Sequence, residues 1–356
     1  MRTLLMEHRP EGTAIALMED RLLTDHRLVP DTGLRTETVM IGRVRQNVRG
    51  MGAVFVSLPG DQVGFLPESE GRAPLHPGDF VLVQVKKPPT ERKYASLTQD
   101  ISLAGQGLIL LPLSGTTGVS ARVSDETERA RLQALAQALR PQGMGLVMRR
   151  RSLALSEDAL RAELETLMGL WTQIRARAGE MNALTTLWQG RSAAEQALDD
   201  FGTVDRVILD REENLPFPAE QSPHPFADYA VEEQRERLLR RQIWLPSGGF
   251  LVVDPCEALT AVDVNTGKAV GKRNADKEQL FLNTNLEAAE MIARVLRVRG
   301  VGGIIIVDLI DMEEEASRQR VLERFRALAD EDPVKCVIHG LTSLGLLEMT
   351  RKKTGR

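Results

Sequence analysis

Ala261-Val262-Asp263-Val264-Asn265 and Ile304-Ile305-Ile306-Val307-Asp308 are the two runs on which the reading of this chain turns. Residues two apart in a strand share a face, so Asp263 and Asn265 point one way while Val262 and Val264 point the other. Asp308 closes an unbroken apolar, β-branched run of the kind a fully buried strand shows. The wider stretch from Phe250 to Met312 reads as two strands, a basic loop, a helix and a third strand. The helix is expected over Asn283 to Arg299, with Leu286, Ala289, Ala293 and Leu296 on one side and Glu287, Glu290, Arg294 and Arg297 on the other. A strand, a crossover helix and a parallel strand bring the two strand ends side by side. Two carboxylates and an amide oxygen meeting there make a hard-oxygen site suited to Mg²⁺. On spacing alone, the two aspartates fit equally well as residues that end strands and open turns.

The rest of the chain bounds what such a site serves. Its 356 residues predict two or three domains, and 42% hydrophobic content is enough for real cores. A net charge of −4 carries no global basic signature, so a nucleic-acid site would have to be a local patch. Cys256 and Cys336 lie far apart and form no Cys-x-x-Cys pair, which argues against a disulfide scaffold or a cysteine-rich zinc site. The five histidines, His8, His26, His76, His224 and His339, show no metal-ligand spacing. Glu7, His8, Arg9 and Glu11 interrupt any signal-peptide pattern, and no apolar run approaches the roughly 20 residues of a membrane span. A cytoplasmic protein without a membrane segment is the expectation.

Residues 1 to 36 read as a β-meander too short to fold alone. From residue 37 to 98 the texture becomes short strands punctuated by glycine, which predicts a small barrel of the OB type. Phe55 and Phe65 are candidate stacking platforms there, with Arg43, Arg45, Lys86, Lys87, Arg92 and Lys93 supplying positive charge. For a lone barrel the plainer reading is stronger: both rings in the core, the basic residues a solvated rim.

Beyond it, Leu108–Leu111 and Gly145–Met148 are strand candidates. Ser124 with Asp125 and Glu126 opens one helix, and Ser156 caps another that carries Leu160, Leu164, Leu167, Trp171 and Ile174 on one face. Arg149-Arg150-Arg151 at a strand end suit a phosphate, or equally a solvated basic turn. Arg206–Leu209 is a strand, 214–225 a proline-rich linker, and Val231 to Trp244 a charged helix with Glu236 four residues before Arg240. After Met312 follow a helix over Glu313 to Leu328, a strand at Cys336–Ile338 and a last apolar segment at Leu346–Met349.

Gly267-Lys268-Ala269-Val270-Gly271-Lys272 is one residue short of a phosphate loop, with Arg273 where Ser or Thr belongs, so an NTPase is excluded. There is no Gly-x-Ser-x-Gly elbow and no recognisable Cys/His pair. What remains is the carboxylate pair, flanked by Lys268, Lys272 and Arg273, which suit an anionic substrate.

Five ordered motifs then carry a resemblance: Leu245-Pro-Ser-Gly-Gly249, Glu257-Ala-Leu-Thr-Ala-Val-Asp-Val-Asn265, Asn283-Thr-Asn-Leu-Glu-Ala-Ala289, Gly302-Gly-Ile-Ile-Ile-Val-Asp-Leu-Ile-Asp-Met312 and Gly345-Leu-Leu-Glu-Met-Thr-Arg351. In that order, and over nearly the whole chain, they resemble the ribonuclease E/G family. The resemblance implies a mixed α/β multidomain fold: an RNase H-like subdomain (1–36 and 203–238) split by an OB-fold RNA-binding barrel (37–99), a 5′-sensor subdomain (100–202) and a DNase I-like catalytic subdomain (239–356). It implies a Mg²⁺-dependent endoribonuclease that cuts single-stranded RNA to leave 5′-monophosphate ends, in rRNA processing or mRNA turnover.

By the same resemblance Asp263 and Asp308 hold the metal and Asn265 orients or binds near the scissile phosphate. Phe55, Phe65 and Lys93 contact RNA, which reverses the plainer reading of the barrel rings. Gly105, Ile109 and Arg149 match the pocket that reads a 5′-monophosphate. The chain departs from the family pattern in carrying Arg150 where the sensor has Thr, Ile109 where it has Val, and Leu344 where Phe precedes Gly345. An extra guanidinium at 150 either tightens phosphate binding or blocks the pocket. The Cys-Pro-x-Cys zinc-link of longer members does not occur before Arg356, so a homodimer would need another interface. The alternative of another class is a non-catalytic RNA-binding protein of the same fold; a DNA nuclease is a third.

Overall fold

The computed structural model describes residues 1–30, 33–48, 50, 52–90, 93–121, 123, 125–179, 182–212, 218–267 and 274–353, without the side chains of 48 and 274–276. Arg92, Ser124, residues 214–217 of the proline-rich linker and the basic residues Lys268, Lys272 and Arg273 lie outside the described residues. The chain divides into two compact units, Met1–Asp31 with Asp200–Arg356, and Thr32–Asp199.

In the first unit, the opening meander finds its distant partner. Arg2–Arg9, Gly12–Glu19 and Leu22–Val29 pair antiparallel, and Arg2–Arg9 pairs in parallel with Arg206–Leu209, Leu4 opposite Val207. A second, six-stranded sheet follows in the order Gln242–Trp244, Phe250–Pro255, Leu259–Asn265, Gly303–Asp308, Leu347–Arg351, Cys336–Leu341. Leu259–Asn265 and Gly303–Asp308 run parallel, joined by the helix Asn274–Arg299, as a strand–helix–strand unit requires. Side chains alternate across this sheet. Leu251, Val253, Val262, Val264, Ile305, Val307, Leu347 and Met349 are buried in one core with Ala288, Ala289, Ile292, Leu296 and Phe325 from the helices Asn274–Arg299 and Glu315–Glu331. The other face is open: Trp244, Asp263, Ile304, Asp308 and Glu348 are exposed.

Several expectations fail here. Gly303–Asp308, read as a fully buried strand, is buried on one face only: Ile305 and Val307 enter the core, while Ile304 is 50% exposed on the open face. The charged helix ends at Leu239, because Arg240 takes an extended backbone (φ −66°, ψ 146°). Gln242-Ile243-Trp244, exposed–buried–exposed, then forms an edge strand against Phe250–Val252. A strand period of two outweighs the helical charge pattern in those residues, and the i,i+4 ion pair that forms is Glu233–Arg237 at 2.6 Å rather than Glu236–Arg240. The connecting helix begins at Asn274 rather than Asn283, and Arg297, expected on its solvated side, is buried.

In the second unit, Val39–Val48, Ala53–Leu58, Gln62–Pro67, Ala95–Thr98 and Phe80–Lys87 close into a five-strand OB-like barrel, with the pairing of Val39–Val48 to Phe80–Lys87 sealing it. Val44, Val54, Val56, Leu66, Val83 and Leu97 fill it. A four-stranded sheet, Thr117–Val119, Gly145–Met148, Leu108–Leu111 and Leu103–Ala104, packs with the helices Glu126–Leu139 and Glu157–Ala178. Asp125 caps the first helix, its side chain accepting from Glu128 N, and Ser156 caps the second. Leu160, Leu164, Leu167, Trp171 and Ile174 are buried as their spacing predicts. No helix among the described residues is long and apolar enough to cross a membrane.

Candidate active site

The parallel pairing of Leu259–Asn265 with Gly303–Asp308 sets Asp263 and Asp308 directly opposite one another. Neighbouring strands lie about 4.8 Å apart and paired residues share a face, so the two carboxylates leave the open face side by side. Both are exposed. Asn265, two residues on, donates from Nδ2 to Asp263 Oδ2 at 2.8 Å. Val252, Asp254, Ala261 and Ile306 complete a shallow hollow of about 260 Å³ around them.

Asp254, the third carboxylate of the hollow, is held in a fork by Arg241 Nε and Nη2 at 2.6 and 2.8 Å, and that guanidinium keeps it below the usual carboxylate range. Asp263 and Asp308 have no ion-pair partner among the described residues. Among the described residues nothing neutralises their negative charge. Among the described residues, no group of three His, Cys, Asp or Glu side chains is placed to hold one metal ion. Zinc takes three or four protein ligands, so it does not fit. Mg²⁺ keeps several waters and uses one or two carboxylates, so the donor set fits it.

The helix Asn274–Arg299 fixes this geometry. Asn285, fully buried, donates from Nδ2 to Ile310 O at 2.8 Å and accepts from Ile310 N at 3.0 Å, which pins the chain just past Asp308. Glu278 accepts from the backbone N–H of Glu313 and Glu314 farther along the same loop. Glu287 accepts from Ser247 N at 2.9 Å and so ties down the turn after Leu245. That turn lies against the chain leaving Asn265. Gly267 has φ +64°, and a Cβ there would stand 2.3 Å from Gly248 O. In the sequence Asn285 stands only as part of a motif and Glu287 as one of the polar-side residues of the helix; neither anchoring role is readable there. The available signal was polar residues inside a helix whose neighbours Ala288 and Ala289 are apolar.

On the barrel, Phe55 and Phe65 are in register on adjacent strands, their rings edge to face at 5.9 Å, both half-buried. Tyr94, which the sequence reading passed over, stands edge to face with Phe55 at 5.1 Å and is 59% exposed. Lys93 precedes it, exposed. The three rings form one patch with the chemistry for stacked bases, and Lys93 adjoins Tyr94 in the chain. Lys86 is drawn instead into an ion pair with Glu70, and Arg43 lies over the Phe80 ring.

Gly105, Ile109 and Arg149 also converge. Ile109 pairs with Ala104 and Val147, and Arg149 Nη1 donates to Gly105 O at 2.5 Å. Arg149 is already held, however. Nη1 lies 2.7 Å from Asp199 Oδ2, and Asp199 also pairs with Arg191, which in turn grips Glu37 at 2.6 Å. Beside it, Glu163 accepts the Gly107 N–H with both carboxylate oxygens, at 3.1 and 3.0 Å. Burial pushes its pKa up, against the opposing pull of the Gly107, Leu108 and Gln106 N–H groups and Arg149. A Cβ at Gly105 would overlap this carboxylate. Arg150 starts a short 3₁₀ turn and is exposed.

Comparison with known proteins places this architecture among relatives. The model of the Ribonuclease E/G family matches residues 102–221 and 217–354. Ribonuclease G of Salmonella typhimurium is 34% identical over 392 aligned positions, covering 99% of this chain and 80% of that protein. Ribonuclease G of Escherichia coli K12 is 33% identical with the same coverage. Ribonuclease E of Nostoc sp. is 35% identical over 79% of this chain and 44% of its own length.

Proposed function

This chain belongs to the ribonuclease E/G family and is an endoribonuclease, and we propose that it depends on Mg²⁺, cuts single-stranded RNA and leaves 5′-monophosphate ends. One observation carries the metal reading: two exposed aspartates in register on parallel strands, with no cation of the described residues paired to either. Asp263 and Asp308 hold the ion. Asn265 keeps the Asp263 carboxylate turned toward it through the 2.8 Å hydrogen bond, and Asn285 holds the loop that follows Asp308. When bound, Mg²⁺ supplies Lewis-acid charge to the scissile phosphate. Water attacks phosphorus and the bond to the 3′ oxygen breaks, so the phosphate stays on the 5′ end of the downstream fragment. The 2′-hydroxyl is not the nucleophile, because that route leaves a cyclic phosphate and a 5′-hydroxyl.

The barrel rings Phe55, Phe65 and Tyr94 with Lys93 take substrate bases and phosphate, a sequence-tolerant mode suited to single strands. Residues 100–202 serve as the 5′-end sensor, 1–36 with 203–238 as an RNase H-like subdomain, and 239–356 as a DNase I-like catalytic subdomain. The sensor is weak in this chain, because Asp199 competes with a terminal phosphate for Arg149.

The test is a fluorescent single-stranded RNA incubated with the full chain in Mg²⁺ and then in EDTA, with products mapped by a 5′-monophosphate-requiring exonuclease. Cleavage in Mg²⁺ alone, with exonuclease-sensitive products, is expected. Binding without cleavage would make the chain a non-catalytic RNA-binding protein. Equal cleavage of a matching DNA strand would remove the RNA assignment.

A further inference from the structure

The open face of the six-stranded sheet carries an aromatic step beside the two aspartates. Trp244 is in register with Phe250, and Phe250 with Asn265, one row from the Val252–Asp263–Asp308 row. All of these residues therefore face the same side. The Trp244 and Phe250 rings stand edge to face at 5.3 Å, and Trp244 is 64% exposed on an edge strand. Burying an indole is one of the larger single gains available to a chain, yet this one stays in solvent on the face that bears the carboxylates. From spacings of about 4.8 Å between strands and about 3.3 Å per residue, the Trp244 backbone lies roughly 12 Å from that of Asp263, on the order of two nucleotides' length, and its indole reaches back over part of that span.

We propose that Trp244, braced edge-on by Phe250, is a stacking platform for a nucleobase of the RNA next to the phosphate held at Asp263 and Asp308. The proposal rests on the endoribonuclease reading of those aspartates. Its occupant follows from the surroundings. A flat indole in a row ending at Asn265, with Asp263 and Asp308 in the next row of the same face, meets an anionic strand whose backbone is drawn to the carboxylate site and whose bases project from it. A stacked base is recognised by its π-face, so the platform tolerates every base and favours the larger purines. It sits on a paired strand, so its position relative to the cut is fixed. It acts as a positioning residue for the nucleotide beside the scissile bond.

The experiment uses the full chain carrying Asp308→Asn, so that RNA stays intact, and follows tryptophan emission and fluorescence anisotropy. The probes are a single-stranded oligoribonucleotide and the same strand with one abasic site scanned along it. Of the other two tryptophans Trp171 is buried and Trp188 half-buried, and the difference against Trp244→Phe assigns the signal to residue 244. The base-bearing strand is expected to quench Trp244. Trp244→Ala is expected to weaken binding by roughly 5- to 100-fold, with Trp244→Phe recovering most of the loss. One abasic position is expected to cost the parent chain as much as Trp244→Ala does, and to cost the Trp244→Ala chain little more.

In the Asp308-intact chain, Trp244→Ala is expected to raise KM and blur the purine preference beside the cut, leaving kcat within about twofold. Unquenched emission, equal abasic penalties in both chains, or a dimer that dissociates on Trp244→Ala would each overturn the proposal. Cleavage by the parent chain with a silent Trp244 removes only this platform. Quenching without any Mg²⁺-dependent cleavage removes the nuclease reading and leaves the platform standing.

Discussion

Two charged clusters, one in each unit, meet opposite fates. At the open sheet, Asp263 and Asp308 stand side by side in solvent, and among the described residues Asn265 is the hydrogen-bond neighbour, bonded to Asp263. At the sensor, Arg149 is held among Gly105 O, Asp199 and, through Asp199, Arg191 and Glu37. The first cluster holds like charges together at the expense of mutual repulsion. That expense is tolerated because each carboxylate remains hydrated, and a cation converts the repulsion into affinity. The second cluster alternates signs and compensates itself. Residue type therefore says little about availability for a ligand, and the partners decide it. A third cluster sharpens the point: Arg351 is 2% exposed, forks onto Asp332 at 2.9 and 3.1 Å and donates to Val301 O, a fully compensated pair on the hidden side of the same sheet.

If uncompensated charge marks function, Asp308→Asn has the largest effect on activity: cleavage falls by at least about 10³-fold while RNA affinity in a binding assay stays within about twofold. Retained cleavage would break the comparison at its first term. If compensated charge marks structure, Asp332→Ala strands a buried guanidinium and costs about 3–5 kcal/mol in denaturant unfolding; an unchanged midpoint would show that Arg351 finds solvent. Between these lies Asn285→Ala, which removes both partners of Ile310. It costs about 1–3 kcal/mol of stability and also lowers kcat, with RNA affinity retained. A loss of stability without loss of kcat would separate the clamp from the Asp308 position.

The smallest effect is at the sensor. Asp199→Asn removes the carboxylate that competes for Arg149 and raises the preference for 5′-monophosphorylated over 5′-hydroxyl RNA by about tenfold at most. Arg149→Ala lowers the preference, and equal losses on both substrates would deny Arg149 a sensing role.

How much of this was legible follows the range of each interaction. Alternation in Ala261–Asn265 and the apolar run ending at Asp308 are local patterns that predict the two strands and the meeting of the aspartates, but the unbroken apolar run conceals that Ile304 and Ile306 line an open face. Phe55 and Phe65 were found from barrel texture and a family resemblance, and pair as neighbours. The edge strand Gln242–Trp244 was missed because its charged neighbours continue a helical pattern, while the hydrogen bonds that make it a strand come from Phe250–Val252. That error hid Trp244, whose exposure means little on a helix and much beside Asp263. Polarity amid apolar helix neighbours marks Asn285, but its task is not legible because its partner is backbone, and backbone carries no letter. The engagement of Arg149 was equally hidden, because Asp199 lies 50 residues away and only the fold brings it near.

The central claim is that two adjacent aspartates hold a divalent ion on which RNA cleavage depends. Titration of the full chain with Mn²⁺, followed by the loss of the free-ion electron paramagnetic resonance signal, tests it most directly. One ion bound per chain, displaced by Mg²⁺ and lost in the Asp263→Asn, Asp308→Asn double variant while the fold is retained, is the predicted result. An unchanged Mn²⁺ isotherm in that variant would contradict the account.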